Sequence, residues 1–380
     1  MKNSKGLFIA FFLIIIVVSA CNKTVEKKRL ILDLPTTMFD YETAIEDGKS
    51  VPIKDKIKDG SKEFYNDNTA TLGRVLFYDV NLSANGTVSC GSCHEQSLGF
   101  ADGKKGSSGF SEISTPRNSM AIINVADNNN MFWDSRVSSP LDLSLKPVFD
   151  HIEMGILNNE MLVSKIKGKP YYKDLFQSAF NNGEINKENI SIAITSFLNA
   201  IYSKQSKFDK EKAGNFTGFT TLEKYGMELF NSSRLKCGTC HSTSNFSAPD
   251  FEGGPYGKSS GGFNGDDGPK GTANIGLDLN YKDQGLKDGQ FKIPSLRNIE
   301  LTAPYMHDGR FSSLNDVLNH YSNGIKIHRN LDSKFIKNGQ AVKLNLSDFE
   351  KDAVIAFLET LTDKELITNH KFSNPFVLGN

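Results

Sequence analysis

The pentapeptide C-x-x-C-H occurs twice, as Cys90-Gly91-Ser92-Cys93-His94 and as Cys237-Gly238-Thr239-Cys240-His241, and Cys21 is the only cysteine outside them. Such a motif constrains a fold strongly. Its two thiols add to the vinyl groups of one haem and the adjacent histidine reaches the iron, so a single short turn must wrap a rigid planar group. Two copies predict two covalently bound c-type haems, with Cys90, Cys93 and Cys237, Cys240 as attachment points and His94 and His241 as axial ligands. A redox dithiol needs only one copy and no following histidine. A four-cysteine zinc site would have to join motifs 143 residues apart (237 minus 94). Two irons in one polypeptide make electron transfer the leading theme.

Lys2 and Lys5 precede an apolar run from Leu7 to Val18 that ends in Val18-Ser19-Ala20-Cys21, the layout of a secretory signal. Cys21 resembles the modified cysteine of a bacterial lipoprotein, and the run is short for a spanning helix. Residues 1–20 are therefore expected to be a lipoprotein signal peptide. The mature chain would be held to a membrane through lipidated Cys21 in an extracytoplasmic, periplasmic space. Removing that segment takes away two lysines, so the formal balance moves from 44 minus 44, zero, to 42 minus 44, about −2. That balance gives no reason to expect nucleic acid as a partner.

The 360 residues left (380 minus 20) are enough for two ordinary domains. Residues 21–65, rich in lysine and acids with few periodic apolar positions, read as a tether and docking segment. Residues 66–215 read as an N-terminal haem domain and 216–380 as a C-terminal one. A weak internal repeat supports the division, since Leu72-Gly73-Arg74-Val75-Leu76-Phe77 and Tyr225-Gly226-Met227-Glu228-Leu229-Phe230 each precede a haem motif. The fold class expected is mainly α with two cytochrome c-like haem domains. Asn189 to Ile201 carries a helical apolar face with Asn189 as its cap. Thr220-x-x-Glu223 and Ser347-x-x-Glu350 read as capping boxes, the second before an apolar face of Phe349, Ala353, Phe357 and Leu361. The glycine-rich stretch Gly253 to Gly271 lacks a following G-K-[ST] and reads as a surface loop rather than a phosphate cradle.

Several longer runs carry a family resemblance. Leu72–Phe77, Leu82-Ser83-Ala84-Asn85-Gly86-Thr87-Val88-Ser89-Cys90, Phe132-Trp133-Asp134-Ser135-Arg136, Ile152-Glu153-Met154, Pro294-Ser295-Leu296-Arg297-Asn298 and Leu301-Thr302-Ala303-Pro304-Tyr305-Met306-His307-Asp308-Gly309 are collinear over about residues 65 to 365. They resemble the bacterial dihaem cytochrome c peroxidases and their MauG relatives. The resemblance implies that the haem at His94 meets peroxide and the haem at His241 receives and stores electrons. It implies that Glu153 is the acid/base carboxylate, its pKa raised by apolar neighbours, and that Trp133 relays electrons between the haems. Asp134 and Arg136 are expected to pair with one another or with haem propionates.

Two departures from the family pattern bear on mechanism. Phe110 stands where many of these peroxidases carry a capping histidine, so the first iron is expected to be open unless His151 or another residue reaches it. Leu143 replaces a glutamine of the pocket. On the far side of the second haem, the family's ligand position falls on Tyr321, with Met306 as competitor and no protein ligand as the third option. A phenolate, as in MauG, is a hard donor, whereas a thioether favours ferrous iron. The resemblance further implies Ca²⁺ between the domains, held by Asn118, Thr302 and Pro304. It assigns His307 an ordering role between domains. His320, His328 and His370 are expected to be ordinary hydrogen-bonded or surface residues.

The expected activity is reduction of hydrogen peroxide to water with electrons from a small donor, a cytochrome c or cupredoxin. Alternatives are a MauG-like oxidase acting on a protein or organic substrate, and a dihaem electron carrier without turnover. Family members are commonly dimers, so a homodimer is an expectation, with no interface legible in the sequence.

Overall fold

The computed structural model describes residues 30–128, 130–248 and 271–379. Cys21, the signal segment and almost all of the glycine-rich stretch lie outside them. Helices dominate, and the named strands among the described residues form four two-stranded antiparallel ribbons.

Two hydrophobic cores organise the chain. In the first, the helices Asp67–Tyr78 and Lys187–Ala200 cross at Gly73, where a Cβ would stand 1.9 Å from the carbonyl oxygen of Ala193. In the second, the helices Thr221–Asn231 and Asp348–Glu359 cross at Gly226, where a Cβ would stand 1.8 Å from the carbonyl oxygen of Ala353. Only glycine permits backbones so close. One turn along each helix the same partners recur. Phe77 meets Phe197 with ring centroids 5.2 Å apart, and Phe230 meets Phe357 at 5.2 Å. A third ring closes each cluster, Phe100 at 6.4 Å from Phe77 and Phe246 at 6.2 Å from Phe230. The sequence repeat thus marks two copies of one packing arrangement. Each buried aromatic side chain contributes about 1.5–3 kcal/mol of hydrophobic stabilisation.

Helix starts follow the capping chemistry. The Thr220/Glu223 and Ser347/Glu350 boxes both close reciprocally. The Lys187–Ala200 helix begins earlier than expected, because Asn186 accepts from the Asn189 amide and is itself the cap. Phe349 is not on the buried face. It lies in the first turn beyond the core, 63% exposed, stacked on Tyr225.

Of the two ends of the described chain, the C-terminal one departs from the expected division. Residues from Leu30 onward are docked, with Tyr41 fully buried in the first core and Ile53, Ile57 and Tyr65 clustered with Ala126 and Tyr202. The C-terminal stretch does not stay with the second core. Leu366 and Phe372 enter the first, and Phe376–Leu378 pairs antiparallel with Leu30–Leu32. Arg74, Tyr78 and Gln96 all donate to backbone carbonyls of this returning strap, at Ser373, Phe372 and Leu366. The division at 216–380 therefore needs correcting by its last fifteen or so residues, which the apolar Leu366-to-Phe376 stretch carries back across the molecule.

Candidate functional site: two C-x-x-C-H turns on one cavity

Each motif folds as a single tight turn that presents one imidazole nitrogen. At the first, the Ser89 amide donates to Ser92 Oγ and the His94 amide donates to the Cys90 carbonyl. His94 Nδ1 lies 2.9 Å from the Phe100 carbonyl. A carbonyl can only accept, so Nδ1 carries the proton and Nε2 keeps its lone pair. The second motif repeats this, with the His241 amide on the Cys237 carbonyl and His241 Nδ1 2.7 Å from the Phe246 carbonyl. Burial holds the His241 imidazole down at about 4 and lowers that of His94, so both rings are neutral, the state a metal ligand requires.

Both turns line one continuous cavity of about 1920 Å³. All four motif cysteines reach its wall and none is in a disulfide. Burial pushes the Cys90 and Cys237 thiols up to about 12, so both are protonated in the metal-free chain. Among the described residues no group of three or more His, Cys, Asp or Glu is placed to hold a metal ion. Paired thiols beside a neutral imidazole with a bare Nε2, opening on a large and mostly apolar cavity, fit a haem at each turn.

Glu153 lies on the cavity wall with Leu143, Pro147, Ile152 and Met154. Its loop is fixed from two sides: the Ile152 and Glu153 amides both donate to Asp150 Oδ1, and the Phe110 amide donates to the Glu153 carbonyl. Burial raises the Glu153 pKa, the Asp150 charge adds to the effect, and Arg136 opposes it. The carboxylate is close enough for its charge to act on both first-motif thiols. Phe110 is not on the wall; its ring packs against Gly155 behind the Glu153 loop. His151 is exposed and also off the wall.

Trp133 lies on the cavity wall and packs against the small cluster of Leu277, Tyr281 and Phe291. Its indole Nε1 donates to the Asn118 carbonyl at 2.9 Å and its own carbonyl accepts from the Lys292 amide at 2.7 Å. Asp134 pairs with Arg136 at 2.8 Å, as one of the two expectations had it. Asp134 also binds Arg117, which sequence reading missed. Arg117 reaches across the cavity to grip Asp283 with two hydrogen bonds of 2.6 and 2.7 Å.

The Trp133 loop has a twin that was also missed. Met131–Val137 and Tyr305–Phe311 are each closed by an antiparallel bridge. In each the second residue has positive φ, Phe132 at 64° and Met306 at 75°, and in each an aspartate pairs with an arginine two residues on. His307 thereby occupies the position of Trp133 in the other half, stacked on Phe291 at 3.7 Å and with its carbonyl accepting from the Asn118 amide. A Met-x-x-Asp-x-Arg against Tyr-x-x-Asp-x-Arg spacing was the available signal. Met306 packs with Trp133 and Phe311 in this cluster. Tyr321 instead lies in a five-residue π turn, His320–Gly324, a rare element that often marks functional sites. Its phenol pKa is raised by burial and then by the Cys240 and Cys237 thiols, which places it at the second motif. Asn118, Thr302 and Pro304 all reach the same wall where the halves meet.

Comparison with known proteins follows the same lines. A family model described as di-haem cytochrome c peroxidase matches residues 67–217. The methylamine utilization protein MauG of Methylorubrum extorquens is 31% identical over 293 residues, 76% of this chain and 77% of that protein. Cytochrome c551 peroxidase of Nitrosomonas europaea is 31% identical over 305 residues, 78% and 80% of the two chains. The crystal structure of a MauG-like protein associated with microbial copper homeostasis superposes with a TM-score of 0.70 at 33% identity, covering 82% of this chain and 94% of that one. The fold and these relatives place the chain among dihaem oxidoreductases. The chain belongs to the di-haem cytochrome c peroxidase and MauG family. Among the described residues no helix is long and apolar enough to cross a membrane.

Proposed function

We propose that this protein reduces hydrogen peroxide to water, drawing electrons from a small redox protein such as a cytochrome c or cupredoxin. The observation that carries this reading is Glu153: a carboxylate with a raised pKa, set in an apolar wall and facing the first C-x-x-C-H turn. A haem held covalently by Cys90 and Cys93 and by His94, and another by Cys237 and Cys240 and by His241, would supply the redox-active iron. Glu153 takes a proton from one peroxide oxygen and returns it to the other, so that the O–O bond breaks with water as leaving group. Two electrons and two protons complete the balance to two waters. Trp133, hydrogen-bonded to Asn118 on one side and Lys292 on the other, is assigned the relay between the halves. Arg117 and Asp134 hold that relay in place.

Phe110 packed on Gly155 leaves no histidine to cap the first site, which favours an enzyme that needs no reductive activation. Tyr321 beside the second motif supports a phenolate ligand there over Met306, which is held at positive φ in the Trp133-like loop. The same tyrosine favours the second reading, a MauG-like oxidase that withdraws electrons from a protein or organic substrate. Ca²⁺ at Asn118, Thr302 and Pro304, and a homodimer, are carried as parts of the proposal. So is a lipid anchor at Cys21 in the periplasm. The anchor is checked by Cys21→Ser, which should move the protein from the membrane to the soluble fraction with unchanged haem absorption.

The decisive experiment reacts purified holoprotein, in its wild-type, Glu153→Gln and Trp133→Phe forms, with peroxide in stopped flow. Glu153→Gln keeps volume and polarity but cannot carry the proton, so peroxide reaction should slow by about 10²-fold or more with both haems retained. Trp133→Phe should leave that step fast and slow electron delivery. A wild-type peroxide rate in Glu153→Gln would leave a dihaem electron carrier as the better reading.

A further inference from the structure

Charge is unevenly distributed around the cavity. At the mouth beside the second motif the wall carries Arg234, Lys236, Lys334, Lys337 and Lys343 and, among the described residues, no carboxylate. Two segments supply these residues: the turn leading into Cys237, and the ribbon Ile336–Lys337/Gln340–Ala341 with its flanks. Their only acids, Asp332, Asp348 and Glu350, are each engaged by a cation: Lys334, Lys351 and Arg234. Lys236, Lys337 and Lys343 are exposed and have no ion-pair partner among the described residues. In a chain whose formal charge balances to zero, this cluster is local.

The rim is also built firmly enough to serve as a surface. Arg234 donates to the Leu344 carbonyl and pairs with Glu350, joining the ribbon's flank to the Asp348–Glu359 helix. Beside that pair stands Phe349, 63% exposed and stacked on Tyr225, an aromatic of the kind that anchors protein contacts. Lys236 adjoins Cys237.

We infer that this rim is the docking surface for an acidic electron-donor protein, one that presents carboxylates around its own exposed redox edge. The inference rests on the dihaem reading above and names its partner by charge. Lys236, Lys337 and Lys343, without ion-pair partners among the described residues and on the wall beside Cys237, steer a negatively charged donor toward that side of the cavity. Close-range contact then falls to Phe349 and Tyr225, and dissociation after one electron stays fast because the charges remain at the rim.

The test follows reduction of oxidised holoprotein by a ferrous acidic mono-haem cytochrome c in stopped flow, with no peroxide present. The combined variant Lys236→Glu, Lys337→Glu, Lys343→Glu should lower the second-order rate constant by about 10²-fold at low salt. The gap should close near 1 M salt, where the Debye length is about 3 Å. A basic cytochrome c should show the opposite response and react faster with the variant. Haem absorption and the peroxide reaction of chemically pre-reduced protein should not change. Equal rates for wild type and variant with the acidic donor, or a wild-type rate indifferent to salt, would overturn the docking surface. Failure of pre-reduced wild type to consume peroxide would instead overturn the peroxidase reading, leaving the docking result standing.

Discussion

Glu153 shows how far a single side chain depends on its neighbours. Burial is the largest influence on its carboxyl, the Asp150 charge adds to it, and Arg136 works the other way, with a net rise from the ordinary 4.5. A base must be ionised, so the peroxide reaction should fall as pH drops through that raised value, and its acid limb should lie above 4.5. Asp150→Asn keeps an oxygen for the Ile152 and Glu153 amides but removes the charge, so the limb should move to lower pH. A limb that stays put in that variant would mean another group governs it. The positions of His94, His241 and Glu153 were legible because motifs mark them, and all three line the one cavity. Arg117 was not, since its partners Asp134 and Asp283 lie 17 and 166 residues away and only the fold brings them together.

Elements were legible where capping and periodicity are local. The Thr220 and Ser347 boxes read correctly from four residues each. Asn189 was mistaken for the cap because Asn186, three residues earlier, offers the same oxygen to the helix. Phe349 was assigned to the core by helical spacing, but spacing does not say where a neighbouring element ends. The repeated Gly-x-x-x-Phe was visible, yet its partners Ala193, Phe197 and Ala353, Phe357 were not, because residues four apart share a face of a helix without naming what faces them. The crossings make a sharp prediction. Gly73→Ala and Gly226→Ala would each drive a methyl into a backbone carbonyl rather than a pliable side chain, so each should destabilise by about 3 kcal/mol or more, the upper end for overpacking. Urea denaturation of the two variants measures this. A loss under about 1 kcal/mol would show that the helices can slide apart cheaply.

At the scale of the molecule the two cores are held together by buried polar groups and by the strap that returns to the first. Arg297 is 2% exposed and grips Asp209 through two hydrogen bonds of 2.8 Å, while also donating to the Ser244 carbonyl. Asn298 beside it donates to Ser203, and Asp363 accepts from Ser203 and Gln205. The run Pro294–Asn298 was legible as a motif but not as a joint, because its meaning lies in residues from three distant segments. Burial alone would raise the Asp209 pKa. The hydrogen bonds and charge of Arg297, helped by Ser206, outweigh it and hold the carboxyl below its ordinary 3.8. The unfolded chain therefore takes up this proton first as pH falls. The stabilisation is fully present above about pH 4 and is lost as pH drops through the folded value. Asp209→Asn leaves a buried guanidinium without its counter-charge, so it should cost about 3–5 kcal/mol near neutrality. Because the variant has no carboxyl to protonate, its stability should fall less steeply in acid, and the gap to wild type should narrow as pH drops below about 4. Denaturant titrations across that range measure the gap. One that stays constant would assign the acid sensitivity of the joint to other groups and leave Arg297 held by the Ser244 carbonyl alone.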